Sequence, residues 1–127
     1  MPTTALIVDD SKLARLVVAK LLRQLRPDWE VVEAVNSDSA ISVIGERRVD
    51  VALLDFNMPG KDGLELAADL RAAKPDMPIA VVSANIQDEI IARARSVDAT
   101  FLSKPLTEEA LAGFLSGATL RLRRAAS

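Results

Sequence analysis

The sequence predicts a doubly wound α/β fold, a parallel sheet of five strands with five helices laid over its two faces. Two observations carry that prediction. Short unbroken apolar runs, such as Val51-Ala52-Leu53-Leu54, suit strands buried on both sides and suit half-wet strands badly. These runs alternate with segments whose apolar residues recur at helical spacing, the βαβ rhythm of a parallel sheet. A third feature bears on function: run after run closes in polar residues, at the strand ends where open α/β sheets place their ligands.

Taken in order, residues 5–8 form the first run and end in Asp9-Asp10. Ser11 caps a helix running to Leu25, with Leu13, Leu16, Val17 and Leu21 as its expected core stripe. Ala14, Val18 and Leu22 widen the apolar arc, which implies either packing under a neighbouring loop or a docking patch. Pro27 stops this helix. Residues 29–35 alternate in part and read as an edge strand. Asn36 or Ser37 caps a second helix with Ala40, Val43 and Ile44 inward. The third strand is closed by Asp55, and Met58-Pro59-Gly60 and Asp62-Gly63 turn the chain into a helix carried by Leu64, Leu66, Ala67 and Leu70. It ends before Pro75. Residues 78–82 are the fourth strand, closed by Ser83-Ala84-Asn85, and 86–97 a helix with Asp88, Glu89, Arg93 and Arg95 outward. Residues 99–103 are the fifth strand, closed by Lys104-Pro105. Thr107 caps the last helix, whose first turn holds Glu108 and Glu109 and whose buried stripe is Leu111, Phe114, Leu115, Ala118 and Leu122. Arg121, Arg123 and Arg124 complement the dipole at its end, a simpler account than a nucleic-acid arm.

Composition narrows the function classes. With 127 residues, half of them apolar and 27% charged, the chain reads as one globular domain, residues 1–127, with no output domain. A net charge of -2 offers nothing to nucleic acid or to an anionic membrane. The absence of cysteine excludes disulfides, a thiolate nucleophile and cysteine metal sites. The absence of histidine excludes a histidine general base and any phosphohistidine carried by this chain. Met1-Pro2-Thr3-Thr4 is not the start of a signal peptide and no apolar run is long enough to span a membrane, so a cytoplasmic protein is expected.

In the flavodoxin-like strand order 2-1-3-4-5, the polar strand ends Asp9, Asp10, Asp55, Ser83 and Lys104 converge in one cleft. Three carboxylates so close must raise their pKa values or take up a cation, and one lysine is too few. All-oxygen ligation without histidine or cysteine points to a hard divalent ion, magnesium, which keeps its waters and accepts a phosphate oxygen. With Lys104 as point charge and the Ser83 hydroxyl as donor, the pattern is one for phosphoryl transfer onto a carboxylate. Asp55, on the central strand, is the candidate nucleophile. The plain alternative for Asp55 alone is a cap on a strand-to-helix loop.

Asp9-Asp10, Asp55 with Met58-Pro59-Gly60 and Asp62-Gly63, Ser83-Ala84 and Lys104-Pro105, in register across nearly the whole chain, resemble the motif set of the response regulator receiver domain, the CheY-like phosphoacceptor of two-component signalling. The resemblance implies Asp55 as phosphoacceptor, with Ser83 and Lys104 contacting the phosphoryl group. It implies Asp9, Asp10, Asp55 and the Asn57 main-chain carbonyl as magnesium ligands, and a cis Lys104–Pro105 bond that aims the lysine inward. Phe101 matches the aromatic switch position, and a core phenylalanine is its plain alternative. Departures are Val97-Asp98-Ala99 in place of Gly-Ala, where aspartate tolerates a left-handed turn, and Phe101 in place of the common tyrosine. The resemblance further implies that Asn57 and Asn85 occupy positions that vary within the family and influence how long the phosphate lasts.

A stand-alone response regulator is therefore expected. It is not an enzyme beyond its own phosphorylation and dephosphorylation. A sensor histidine kinase or histidine phosphotransfer protein is its donor, docking on Lys12, Ala14, Arg15, Val18 and Leu22. An output protein reads the face made by the fourth helix, fifth strand and fifth helix. The alternatives are a receiver-fold interaction module independent of phosphorylation, a haloacid-dehalogenase-type phosphatase, and a flavodoxin. Asn57 stands where such a phosphatase needs a second aspartate, and the first strand lacks a flavodoxin's phosphate loop.

Overall fold

Period-two alternation within strands that are apolar throughout builds the sheet and sends side chains to both of its faces. In the computed structural model, the elements run β1 (Thr4–Val8), α1 (Lys12–Leu25), β2 (Glu30–Ala34), α2 (Ser37–Glu46), β3 (Val51–Asp55), α3 (Gly63–Ala73), β4 (Ile79–Ser83), α4 (Asp88–Ser96), β5 (Thr100–Ser103) and α5 (Glu108–Ala126). The structure describes residues 2–126; Met1 and Ser127, the ends of the expected domain, lie outside the described residues. All strand pairs are parallel, in the order β2-β1-β3-β4-β5.

Leu6 and Val8 of β1 join Ala52 and Leu54 of β3 and Val81 of β4 on one face, under Ala40 of α2, Leu66 and Leu70 of α3 and Ile90 of α4. Ala5 and Ile7 turn the other way with Val51, Leu53 and Ala80, under Ala19 and Leu22 of α1 and Leu111 and Leu115 of α5. Every residue of β1, β3 and β4 is buried, whereas in β2, at the edge of the sheet, only Ala34 is fully buried and the other four residues are exposed or half-buried.

Helix caps follow the local sequence. Ser11 accepts from the Ala14 amide, Asn36 and Ser39 form a capping box on α2, and Asp62 and Glu65 form another on α3. Asp98 adopts φ 55° at the α4–β5 turn, as expected of an aspartate there. Helix α4 starts at Asp88 rather than near residue 86, because Gln87 supplies no side-chain cap and Ile86 stays in the exposed loop.

The expected stripe of α1 is corrected. Leu13, Leu16 and Val17 are exposed, Leu13 to 72%, while Ala19 and Leu22 face the sheet at 0%. Apolar residues nearly encircle the first turns of α1, so periodicity alone does not say which arc meets the sheet. The small Ala19 and, one turn on, Leu22 pack into the cluster shared with α5, together with the half-buried Val18, Leu21 and Leu25. Leu22 is accordingly a core residue, its burial contributing roughly 1.5–3 kcal/mol, and not part of a docking surface.

Candidate functional site

Strand register delivers the polar residues to one edge. Val8 pairs with Leu54, so Asp9 lies next to Asp55 across the β1–β3 boundary. Asp55 pairs with Val82, and Ser83 pairs with Ser103, which puts Ser83 and Lys104 just beyond on the other side. The Phe56 amide donates to Val82 O at 2.9 Å and the Lys104 amide to Ser83 O at 3.0 Å, carrying the ladder one step past the strands.

At this edge the carboxylates of Asp9, Asp10 and Asp55 each offer an oxygen within 4.8 Å of the others. Asp9 and Asp55 are buried and Asp10 is exposed. Lys104 Nζ donates to Asp55 Oδ1 at 2.6 Å, and the Lys104–Pro105 bond is cis. Burial, more than the repulsion of Asp55 and Asp10, raises the Asp9 carboxyl above its ordinary range, against the pull of the Ser11 amide and Lys104. Three carboxylates facing one ammonium leave an excess of negative charge in a partly dehydrated pocket. The all-oxygen donor set fits a hard divalent cation, with Asp9, Asp10 and Asp55 as the side chains that could hold it.

The remaining expected residues fall around this centre. Ser83 is fully buried at the end of β4, and its Oγ accepts from the Asn85 amide at 3.0 Å. Asn57 is exposed in the loop after β3. Phe101 is half-buried on β5, packed against the core beneath α3 and α4. Lys12 is exposed and Ala14 and Val18 half-buried on α1. The Arg15 guanidinium turns inward, to Glu33 Oε1 at 2.9 Å and Asp9 O at 2.8 Å.

Two supports escape a reading of the sequence. Gly63, the first residue of α3, packs on the backbone of Asp55 and Phe56, and its amide donates to Phe56 O at 2.9 Å. Its signal was its place: glycine is a poor choice for a first helical position unless something leaves no room for a side chain. Arg15 gave no comparable signal, because its partners are 6 and 18 residues away.

The sequence model described as the response regulator receiver domain matches residues 5–115. The chain belongs to that family. Among curated relatives, this receiver is 40% identical over 117 residues to the positive alginate biosynthesis regulatory protein of Pseudomonas aeruginosa, covering 90% of this chain and 46% of that protein. It is 37% identical over 105 residues to the sensory transduction protein LytT of Bacillus subtilis, covering 82% and 43%. The receiver thus spans about half the length of the curated relatives it matches. Among solved structures, the chemotaxis protein CheY4 of Vibrio cholerae superposes with a TM-score of 0.83 at 28% identity, over 93% of this chain and 99% of that one. Among the described residues, no helix of the receiver is long and apolar enough to cross a membrane.

Proposed function

We propose that this receiver accepts a phosphoryl group from a partner's phosphohistidine onto Asp55, with Mg²⁺ held by Asp9, Asp10, Asp55 and the Asn57 main-chain carbonyl. The observation that carries the reading is the 2.6 Å contact of Lys104 Nζ with Asp55 Oδ1, opposite the Asp9-Asp10 pair. Within these 127 residues we assign a receiver and no output domain, acting in the cytoplasm.

The transfer breaks the donor's N–P bond and forms an O–P bond to Asp55, and the departing imidazole takes a proton from solvent. Asp55 Oδ1 is engaged by Lys104, so Oδ2 is the oxygen left for attack or ligation. Lys104 orients the carboxylate, then neutralises charge on the transferred group. A divalent cation held by Asp9, Asp10 and Asp55 would supply further charge neutralisation. Ser83 donates its hydroxyl to a phosphoryl oxygen. Because the Asn85 amide already rests on Ser83 Oγ, drawing Ser83 toward the phosphate pulls on the β4–α4 loop. That pull is the proposed start of a shift in the face formed by α4, β5 and α5, with Phe101 moving inward.

For the donor, a cleft of about 610 Å³ opens over Asp55 and Lys104. Leu13, Ala14, Val17 and Val18 of α1 form one wall and Pro105 and Leu106 another. The exposed Leu13 and Val17 take the place of Leu22 in the proposed docking surface, beside Lys12, Ala14 and Val18, while Arg15 is engaged inward.

Acetyl phosphate with Mg²⁺ should add one phosphoryl group to the wild type by intact mass, and Asp55→Asn should add none. Labelling that survives in Asp55→Asn moves the acceptor elsewhere. A wild type that never labels would leave an interaction module that works without phosphorylation.

A further inference from the structure

The β1–α1 loop carries two of the three clustered carboxylates, yet Asp10 is exposed on it, outside any helix or strand. Its aim is set through the peptide that joins it to Asp9. The carbonyl of that peptide, Asp9 O, accepts from Arg15 Nη1 at 2.8 Å. The same guanidinium donates from Nε to Glu33 Oε1 on β2 at 2.9 Å. The Arg15 side chain is only 12% exposed, enclosed between these partners. The other holds on Asp9 come from elsewhere: its amide donates to Ala34 O at 3.2 Å, and its Oδ1 accepts from the Ser11 amide at 2.9 Å. Arg15 therefore controls the one group of Asp9 that also belongs to the Asp10 peptide plane.

We propose that Arg15, anchored by Glu33, is a positioning residue for the cation site. It orients the Asp9–Asp10 peptide so that the Asp10 carboxylate meets those of Asp9 and Asp55. The inference rests on the reading of this pocket as a divalent-cation site. The role needs a planar fork with two donors for two acceptors on different segments, the β1–α1 loop and β2, and lysine keeps the charge without the fork. Charge alone has the opposite consequence. Removing a cation beside an acidic pocket strengthens its attraction for a divalent ion, whereas removing a support of the ligand loop weakens it.

The experiment is a calorimetric Mg²⁺ titration at constant ionic strength of the wild type, Arg15→Met, Arg15→Lys, Glu33→Ala and Asp10→Asn, and of Arg15→Met combined with each of the last two. Circular dichroism melts establish that each variant is folded. Arg15→Met and Arg15→Lys should each weaken Mg²⁺ about tenfold, the usual scale for a group that supports a metal ligand. Glu33→Ala should weaken it less, and the Arg15→Met/Glu33→Ala pair no more than Arg15→Met alone. In the Asp10→Asn background, Arg15→Met should have little further effect, because the carboxylate it aims is gone; a general loss of structure would reduce affinity in both backgrounds. Should Arg15→Met fail to fold, Glu33→Ala on the edge strand carries the test. Tighter or unchanged binding in Arg15→Met, full affinity in Arg15→Lys, or an equal loss with and without the Asp10 carboxylate overturns the inference and leaves the cation reading standing. A wild type that takes up no Mg²⁺ overturns both.

Discussion

Gly63 illustrates how a single missing side chain shapes the site. A Cβ there would lie within van der Waals distance of Asp55 O, and 2.9 Å from both the Asp55 carbonyl carbon and Phe56 Cα. All three are backbone atoms at the end of the central strand, so they yield only by moving Asp55 itself. On helix propensity alone, Gly63→Ala should stabilise by about 1 kcal/mol. The contact predicts the reverse: a loss of roughly 1–3 kcal/mol in chemical denaturation and slower phosphorylation by acetyl phosphate. A more stable Gly63→Ala protein would show that the strand end can retreat without strain. The sequence marks Asp62-Gly63 only as turn formers that lead into a helix; in the structure Asp62 is the cap and Gly63 the first helical residue. What the glycine faces depends on two segments meeting, and no local pattern records that.

At the scale of elements, the two ends of the sheet are held differently. Away from the acidic pocket, Arg71 of α3 donates to Val97 O at 3.1 Å, Asp98 O at 2.8 Å and Met77 O at 2.7 Å, and also reaches Lys74 O and Pro75 O. Arg121 of α5 joins the same knot, to Pro75 O at 3.2 Å and Asp98 Oδ2 at 2.7 Å. Burial first, then the charge of Arg121, lowers the Arg71 pKa, the signature of a guanidinium held chiefly by carbonyls. This clasp ties together α3, the α4–β5 turn and α5. Arg71→Met should cost roughly 2 kcal/mol by leaving those carbonyls short of donors, with Arg71→Lys recovering only part of it in urea titrations. An unchanged midpoint would mean that water replaces the guanidinium without loss. At the pocket end, α4 begins without a side-chain cap and is tied to the α3 cap by Arg93 and Asp62 at 3.3 Å. The lighter hold lies where the proposed switch must move, and the heavier one where it must pivot.

For the molecule as a whole, the acidic pocket trades folding stability for readiness to bind a cation. The folded-state pKa of Asp9 lies above its ordinary value. Between the two values the folded chain binds more of this proton than the unfolded chain does, so this group's contribution to stability falls as pH rises through that window. The ionised carboxylate then costs stability throughout the neutral range. Without divalent ions, Asp9→Asn should melt above the wild type at pH 7, by a margin that narrows as pH falls through the raised Asp9 pKa. Mg²⁺ should raise the wild-type midpoint by mass action and have much less effect on Asp9→Asn. Melts across pH, with and without Mg²⁺, test both; a gap that widens on acidification would place the strain on another group.

The sequence by itself determined the order and kind of the elements, the edge position of β2, and the polar residues that end each central strand. These follow from short-range periodicity and from caps and turns that act within a few residues. It also identified Asp9, Asp10, Asp55, Ser83 and Lys104 as one set, because parallel strands all point their C-terminal ends the same way. Only the tertiary structure decided which arc of α1 meets the sheet, exposing Leu13 and Val17 and burying Leu22. It alone turned Arg15 inward and set Gly63 against Asp55. Such outcomes depend on how closely and at what rotation a helix settles on its sheet, a balance of contacts between segments far apart in the chain.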